Sequence, residues 1–256
     1  MRRAIAAVAM SAAATLGLVV VSPAVGDPVA LAAQLSWPAA APFSGTSAVG
    51  ALFSDHNGRL AHFCTASVVH SPHGNLLITA AHCIQGKDLK PAGAITFAPG
   101  YHDGRFPHGR WIVRAAYVDS AWKKRRDPDD DVAFLLAGRP GLRIEKYTGS
   151  EALETGTPLP QQVRVIGYPD RNNLPVTCGA SARAFDPGHL HQMVFDCDGY
   201  TNGTSGGPFL AHATAAGTGK VIGVIGGYQE GGDTPNVSYS ARFLANVAAL
   251  YKTATS

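Results

Sequence analysis

Gly203-Thr204-Ser205-Gly206-Gly207-Pro208 is the stretch on which the reading of this chain turns. It takes its meaning from two segments upstream, Leu77-Ile78-Thr79-Ala80-Ala81-His82-Cys83 and Asp131-Val132-Ala133-Phe134-Leu135. A serine hydroxyl is a weak nucleophile until an adjacent imidazole takes its proton, and the imidazole needs a buried carboxylate to fix its tautomer and balance its charge. The three segments supply one of each, in the chain order His, Asp, Ser. Each alone has a plainer explanation: Ser205 as a turn residue, His82 as a core histidine, Asp131 as part of a solvated acidic loop with Asp127, Asp129 and Asp130. Only Asp131 directly precedes the apolar run Val132 to Leu136, so it alone is placed to point inward while the others stay wet. Joint occurrence in this order carries the catalytic reading.

Outward from these segments, the composition predicts an all-β chain. The 256 residues are 46% hydrophobic and 15% charged, enough to bury a sizeable core in one structural unit. Twenty-nine glycines and 17 prolines stand between short runs of Val, Ile, Phe and Leu, a pattern of many short strands joined by tight turns. One group of strand-like runs covers Val49 to Phe53, Ala61 to Val69, Ala94 to Phe97, Trp111 to Val118 and Val132 to Leu136. A second covers Val163 to Tyr168, Gln192 to Cys197, Pro208 to Ala211, Lys220 to Gly226 and Asn236 to Ser240. Phe243, Val247 and Leu250 recur at helical spacing, which predicts a packing helix over about 241–252. The net charge of +3 is small and spread along the chain, and aromatic and basic residues do not interleave, which argues against a nucleic-acid surface.

The N-terminus reads as an export signal. Arg2 and Arg3 precede an apolar alanine-rich run from Ala4 to Val21, and Gly26, Ala32 and Ala33 offer small-residue cleavage points. An uncleaved anchor is the alternative, and the residues after Ser22 and Pro23 lack a stop-transfer pattern. The expectation is a signal peptide and short leader over 1–33, a loosely ordered leader over 34–47 without strand or helix pattern, and a folded domain over 48–256. Export places Cys64, Cys83, Cys178 and Cys197 where disulfides persist.

The segments T-A-A-H-C, D-V-A and G-T-S-G-G-P resemble the hallmark segments of the chymotrypsin-like (trypsin-like) serine peptidases, bacterial extracellular type, from about Val49 to the C-terminal helix. The resemblance implies a fold of two six-stranded antiparallel β-barrels of chymotrypsin type, the first over about 48–140 and the second over about 158–240, with the C-terminal helix. It implies His82 as general base and acid, Asp131 as its orienting carboxylate and Ser205 as nucleophile, in a crevice between the barrels. The amides of Gly203 and Ser205 are the oxyanion-hole candidates, since a close backbone approach needs a residue without Cβ at 203. Four cysteines allow three pairings. The resemblance implies Cys64 with Cys83, which leaves Cys178 with Cys197. A zinc reading of Cys64, His82 and Cys83 matches no tetrahedral spacing, so no metal and no cofactor is expected.

The same serine fits the G-x-S-x-G pattern of α/β-hydrolases, but that fold needs its acid and histidine after the serine, and the sole later histidine, His212, is too near. Thr204 stands where the animal digestive enzymes have Asp, so activation through a new N-terminal amine paired with that acid is not supported. For the substrate pocket the candidates are Asp198, Gly199, Tyr200, Thr201, Ile225 and Gly226, which favour an uncharged side chain; Asp198 keeps a basic preference open as a minority reading. Val224-Ile225-Gly226-Gly227 lacks the pocket histidine of glutamyl endopeptidases. The run Lys123-Lys124-Arg125-Arg126 reads as a solvated loop, and no further metal ligands accompany His189 and His191. The sequence thus predicts a secreted, monomeric serine endopeptidase acting on protein or peptide substrates, with no nucleic-acid partner and no stable membrane association after signal cleavage. The rival is a non-catalytic binding protein that retains the peptidase fold.

Overall fold

Strand formation follows the alternation of side chains. At the start of Trp111–Val118, Trp111 and Val113 are buried while Ile112 and Arg114 face water, the period of two that lays one face of a strand on a core. The computed structural model describes residues 37–56, 59–85 and 95–256. The export signal over 1–33, the first residues of the leader and Ala94 lie outside the described residues.

A two-residue strand β1 (Ala41–Pro42) precedes β2 (Val49–His56), β3 (Arg59–Val69), β4 (Leu76–Thr79), β5 (Ile95–Pro99), β6 (Trp111–Val118) and β7 (Ala133–Gly138). Strands β2 to β7 close into an antiparallel barrel in the order β2-β3-β4-β7-β6-β5. Its interior is filled by residues such as Leu52, Val68, Ile78, Phe97, Trp111 and Phe134. Two short helices leave its rim, α1 (His82–Gln85) after β4 and α2 (Ser120–Arg125) after β6.

After helix α3 (Glu145–Thr148), the second half contributes β8 (Ala152–Leu153), β9 (Gln161–Gly167), β10 (Val176–Phe185), β11 (Gln192–Asp196), β12 (Pro208–Ala211), β13 (Lys220–Val224) and β14 (Val237–Ala241). They form one curled sheet in the order β14-β11-β10-β9-β12-β13-β8, with β1 added on β10. The first of the two expected barrels is therefore a closed six-stranded barrel, and the second is a half-barrel whose ladder does not close. Between β13 and β14 the Val224 amide donates to the Ser240 hydroxyl (3.0 Å), a side chain standing where a ladder carbonyl would, and the Gly226 amide reaches the Tyr239 carbonyl (3.0 Å).

The C-terminal helix α4 (Ala245–Thr255) starts later than 241 because Leu244 is extended. Val247 and Ala254 are buried, Tyr251 sets its ring 5.7 Å from Phe134 of β7, and its hydroxyl donates to the His70 carbonyl at 2.9 Å. The helix that ends the chain thus clamps onto the first barrel. Strand β10 carries no apolar alternation through Gly179-Ala180-Ser181-Ala182 and is defined by its pairing with β9 and β11. Strand β1 lies in the stretch without strand pattern: the Ala40 amide donates to the Asp198 carbonyl (2.7 Å) and the Phe43 amide to that of Pro175 (3.1 Å), backbone bonds that need no side-chain pattern.

Candidate active site

His82 opens α1 directly after the buried Ala80 and Ala81, and the disulfide from Cys83 to Cys64 of β3 ties this turn to the barrel. Asp131 follows a 3-10 turn, Pro128–Asp130, whose start is capped by the Asp127 side chain accepting from the Asp129 amide, and leads into β7. Its carboxylate is fully buried. Oδ1 accepts the His82 backbone amide and Oδ2 accepts from His82 Nδ1, each at 2.8 Å. Oδ2 also accepts the Gly227 amide at 2.8 Å. Burial favours the neutral imidazole, but the charge and hydrogen bond of Asp131, helped by Glu230, outweigh it, and His82 titrates above its ordinary value. Three donors on one carboxylate leave its orientation no freedom, and Nδ1 is committed to Asp131.

The serine loop is held by backbone. Thr65 of β3 joins it to the first barrel through two bonds, its amide donating to the Ser205 carbonyl (2.7 Å) and its hydroxyl to the Gly203 carbonyl (3.0 Å); the hydroxyl also accepts the Tyr168 amide (2.9 Å), and the Thr65 carbonyl accepts the Thr79 hydroxyl within the barrel (2.7 Å). Such proximity excludes side chains. Gly203 has φ +92, and a Cβ there would lie 2.6 Å from the Tyr168 carbonyl oxygen; Gly206 has φ +80, and its Cβ would collide with the Thr79 hydroxyl and the Thr65 carbonyl. The Thr204, Gly206 and Gly207 amides bond to the carbonyls of Thr201, Ile225 and Thr204. Among the described residues the Gly203 and Ser205 amides have no such acceptor. Thr204 is itself satisfied locally, its buried hydroxyl donating to the Thr201 carbonyl at 2.7 Å.

His82, Gly203 and Ser205 line one cleft of about 630 Å³. The model of the trypsin-like peptidase domain matches residues 64–224, more than half of the chain. The chain belongs to the trypsin-like peptidase domain family. This trypsin-like domain is also 30% identical over 107 residues to a protein named "Extracellular metalloprotease" of Bacillus subtilis (strain 168); the alignment takes in 41% of this chain and 33% of the relative, so the chain spans about a third of that protein's length. Among solved structures it is similar to the protease Anisep from Arthrobacter nicotinovorans (TM-score 0.73, 21% identity, 84% of this chain and 98% of that one). It is also similar to a thermostable serine protease, AL20, from an extremophilic microorganism (TM-score 0.69, 24% identity, 82% and 97%) and to a Glu endopeptidase (TM-score 0.67, 15% identity, 85% and 97%). These structural likenesses show the fold.

Of the pocket residues expected from sequence, this trypsin-like domain places Tyr200, Thr201 and Ile225 on the cleft wall and three others elsewhere. Asp198 is exposed and bridges to Ala39. Gly199, at φ +107, faces Ala40. Gly226 backs Asp131: a Cβ there would stand 2.9 Å from Oδ2, so a glycine lets the acid lie against the later strand. For Asp198 and Gly199, the pairing of residues 38–40 with 198 turns that segment toward the N-terminal strand.

Sequence reasoning also missed the acid-bearing part of the cleft, where Asp170, Glu230 and Asp233 stand with Arg171, and the buried Ser238 on its wall. Nothing in sequence links the segment 229–235 to His82, because the connection is made across the sheet. Nor are Asp129 and Asp130 merely solvated: Asp129 accepts from the His191 amide and from Gln192, and Asp130 from Asn246. The basic run ends α2, with Arg125 paired to Asp127 and the Arg126 guanidinium 5.0 Å from the Trp122 ring. His191 lies 3.9 Å from Asp186. The second disulfide joins Cys178 to Cys197. Cys64, His82 and Cys83 are the one grouping of three potential metal ligands among the described residues, and because the two sulfurs are bonded to each other the set offers no thiolate and does not fit a metal.

Proposed function

We propose that this chain is a secreted serine endopeptidase with Ser205 as nucleophile, His82 as general base and acid, and Asp131 as the carboxylate that orients and charges His82. The observation that carries the reading is the buried Asp131 accepting both the amide and Nδ1 of His82, with Ser205 on the same cleft wall. With Nδ1 committed, Nε2 is the nitrogen left to take the Ser205 proton. Ser205 Oγ adds to the scissile carbonyl carbon as His82 takes its proton. The oxyanion is received by the amides of Gly203 and Ser205, and collapse expels the amine with the proton returned by His82. Water then attacks the acyl-enzyme by the reverse sequence. The raised His82 affinity for a proton suits it to hold that proton between the two steps.

Peptides or proteins are the substrates of this reading, and the chain works as a monomer without nucleic acid or cofactor. Export is supported by the apolar run after Arg2 and Arg3, by two disulfides and by the relative whose name places it outside the cell. No helix among the described residues is long and apolar enough to cross a membrane. Activation needs no buried ion pair beside the nucleophile, because Thr204 is already satisfied by Thr201.

The test is treatment of the purified mature protein with a fluorophosphonate, followed by peptide mass spectrometry, with Ser205→Ala as control. The expected result is one adduct, on Ser205, absent from the control. A folded protein that forms no adduct would instead be an inactive precursor or a binding protein retaining the fold.

A further inference from the structure

Gln192, the first residue of β11, is fully buried and takes no part in the chemistry above. Its Nε2 donates to Asp129 Oδ1 at 2.5 Å and its Oε1 accepts the Tyr228 amide at 2.9 Å. Asp129 is two residues from Asp131, and Tyr228 follows Gly227, whose amide donates to Asp131 Oδ2. A ring is thus closed: Asp131 to the Gly227 amide, along one peptide to Tyr228, through the Gln192 side chain to Asp129, and back along the chain to Asp131. Gly227 has φ +78, and a Cβ there would strike Gln192 Oε1, so the carboxamide fills the space that a side chain at 227 would take.

We propose that Gln192 is a positioning residue that holds the Asp131 carboxylate and the Gly227 amide at their working distance, and so sets the orientation and basicity of His82. A primary carboxamide can accept from an amide at one end while donating to a carboxylate at the other, without carrying a charge. A glutamate at 192 would set two carboxylates against each other, and an apolar residue would leave the Tyr228 amide without an acceptor. Asp129 is braced from elsewhere as well, since its Oδ1 takes the His191 amide (2.8 Å) and its carbonyl takes Asn246 Nδ2 (2.9 Å). Gln192 is the member that connects this braced turn to the 227–228 segment, which leads into the cleft wall at Gln229 and Glu230. The charged groups acting on His82 are Asp131, Glu230 and Arg126, so a change at neutral Gln192 alters none of them directly.

The proposal rests on the peptidase reading only for its kinetic consequence, and the test separates the two. His82 is titrated by NMR of its ring carbon in the wild type and in Gln192→Met, which keeps volume and loses both bonds. The expected result is a titration midpoint moved to lower pH, with kcat/KM reduced about tenfold and its acid limb moved the same way, the loss being in kcat. A purely structural role would lower Tm and leave the midpoint in place, and that outcome overturns the proposal. Should Gln192→Met not fold, Asp129→Asn and Asp129→Ala decide: both remove the same charge, but only Asn keeps an acceptor for Gln192. The proposal requires the lower midpoint in Ala, and equal midpoints refute it. A wild type without turnover but with the expected titration shifts would refute the peptidase reading and leave the link standing.

Discussion

His82 and Asp131 are held at the rim of a closed barrel by bonds to a charged side chain, whereas Ser205 is held at the start of a strand of an open sheet by bonds from the Thr65 amide and hydroxyl to loop carbonyls and by the absence of side chains at 203 and 206. The two arrangements respond to different insults. A carboxylate with three donors sets a pKa, so damage to it is read in the pH profile. A loop held by close backbone approach sets a position, so damage to it is read as a loss of rate at unchanged pKa. The contrast also locates the seam: Thr65 belongs to the barrel yet bonds to the serine loop.

The sharpest break on the barrel side is Asp131→Asn. A carboxamide cannot balance an imidazolium, so kcat is expected to fall roughly ten-thousandfold. The residual activity should have its acid limb at lower pH than the wild type, in which Asp131 raises the His82 pKa above the ordinary imidazole value. A pH series of fluorophosphonate labelling rates measures both.

On the serine side, Gly206→Ala forces a Cβ into the Thr65 carbonyl at a left-handed backbone. The strain is about 1–3 kcal/mol, and displacement of the Ser205 amide should cost about a hundredfold or more in rate. Thermal melting and labelling rate should fall together, with the His82 titration in place. At the seam, Thr65→Val leaves the buried Tyr168 amide without its acceptor, a cost of about 1–3 kcal/mol, and frees the Gly203 carbonyl. About tenfold lower kcat/KM with an unmoved acid limb is expected. An acid limb that shifts would show that the two halves are not separately held.

The smallest expected effect on turnover lies away from the cleft, where β3 meets β8 and β13. Glu151 is fully buried beside the β8–β13 pair, Oε2 accepting the Gly219 amide (2.5 Å) and Oε1 without a partner among the described residues. Burial, partly offset by that amide, pushes its pKa up to about 7, against an ordinary 4.5. Because the folded form holds the proton more tightly, the stability from this group is complete below about pH 4.5 and lost as pH rises through about 7, roughly 3 kcal/mol in all. Glu151→Gln, which keeps an acceptor for Gly219, should raise Tm at pH 8, change it little at pH 4.5 and leave turnover per folded molecule as it was.

How much of this was legible beforehand varied with the kind of constraint. Ser205, His82 and Asp131 stand in segments whose glycines and apolar flanks are local necessities, and the placement of His82 and Ser205 on one cleft with Asp131 buried behind His82 could be expected from sequence. So could the pairing of Cys64 with Cys83 once the family resemblance was seen. Thr65 and Gln192 could not. Threonine within a strand and glutamine at a strand's start carry no local signal, and each matters through a partner more than thirty residues away in the chain. The structure places Asp198 and Gly199 away from the cleft wall for the same reason, since the pairing of residues 38–40 with 198 is invisible to periodicity, and Gly226 lies against Asp131, a contact made across the sheet.

By itself, then, the sequence determined the β class, the family, the candidate reacting groups and five of the first sheet's six strands, with Leu76–Thr79 unmarked, because each depends on residue type and on neighbours along the chain. The tertiary structure alone decided that the second sheet stays open, that Asp170, Glu230 and Asp233 meet on the cleft wall, and that the Asp131 carboxylate is held from the far sheet through Gly227 and Gln192. These depend on backbone amides meeting side chains from distant segments, and any residue supplies an amide, so its destination is recorded nowhere in the sequence.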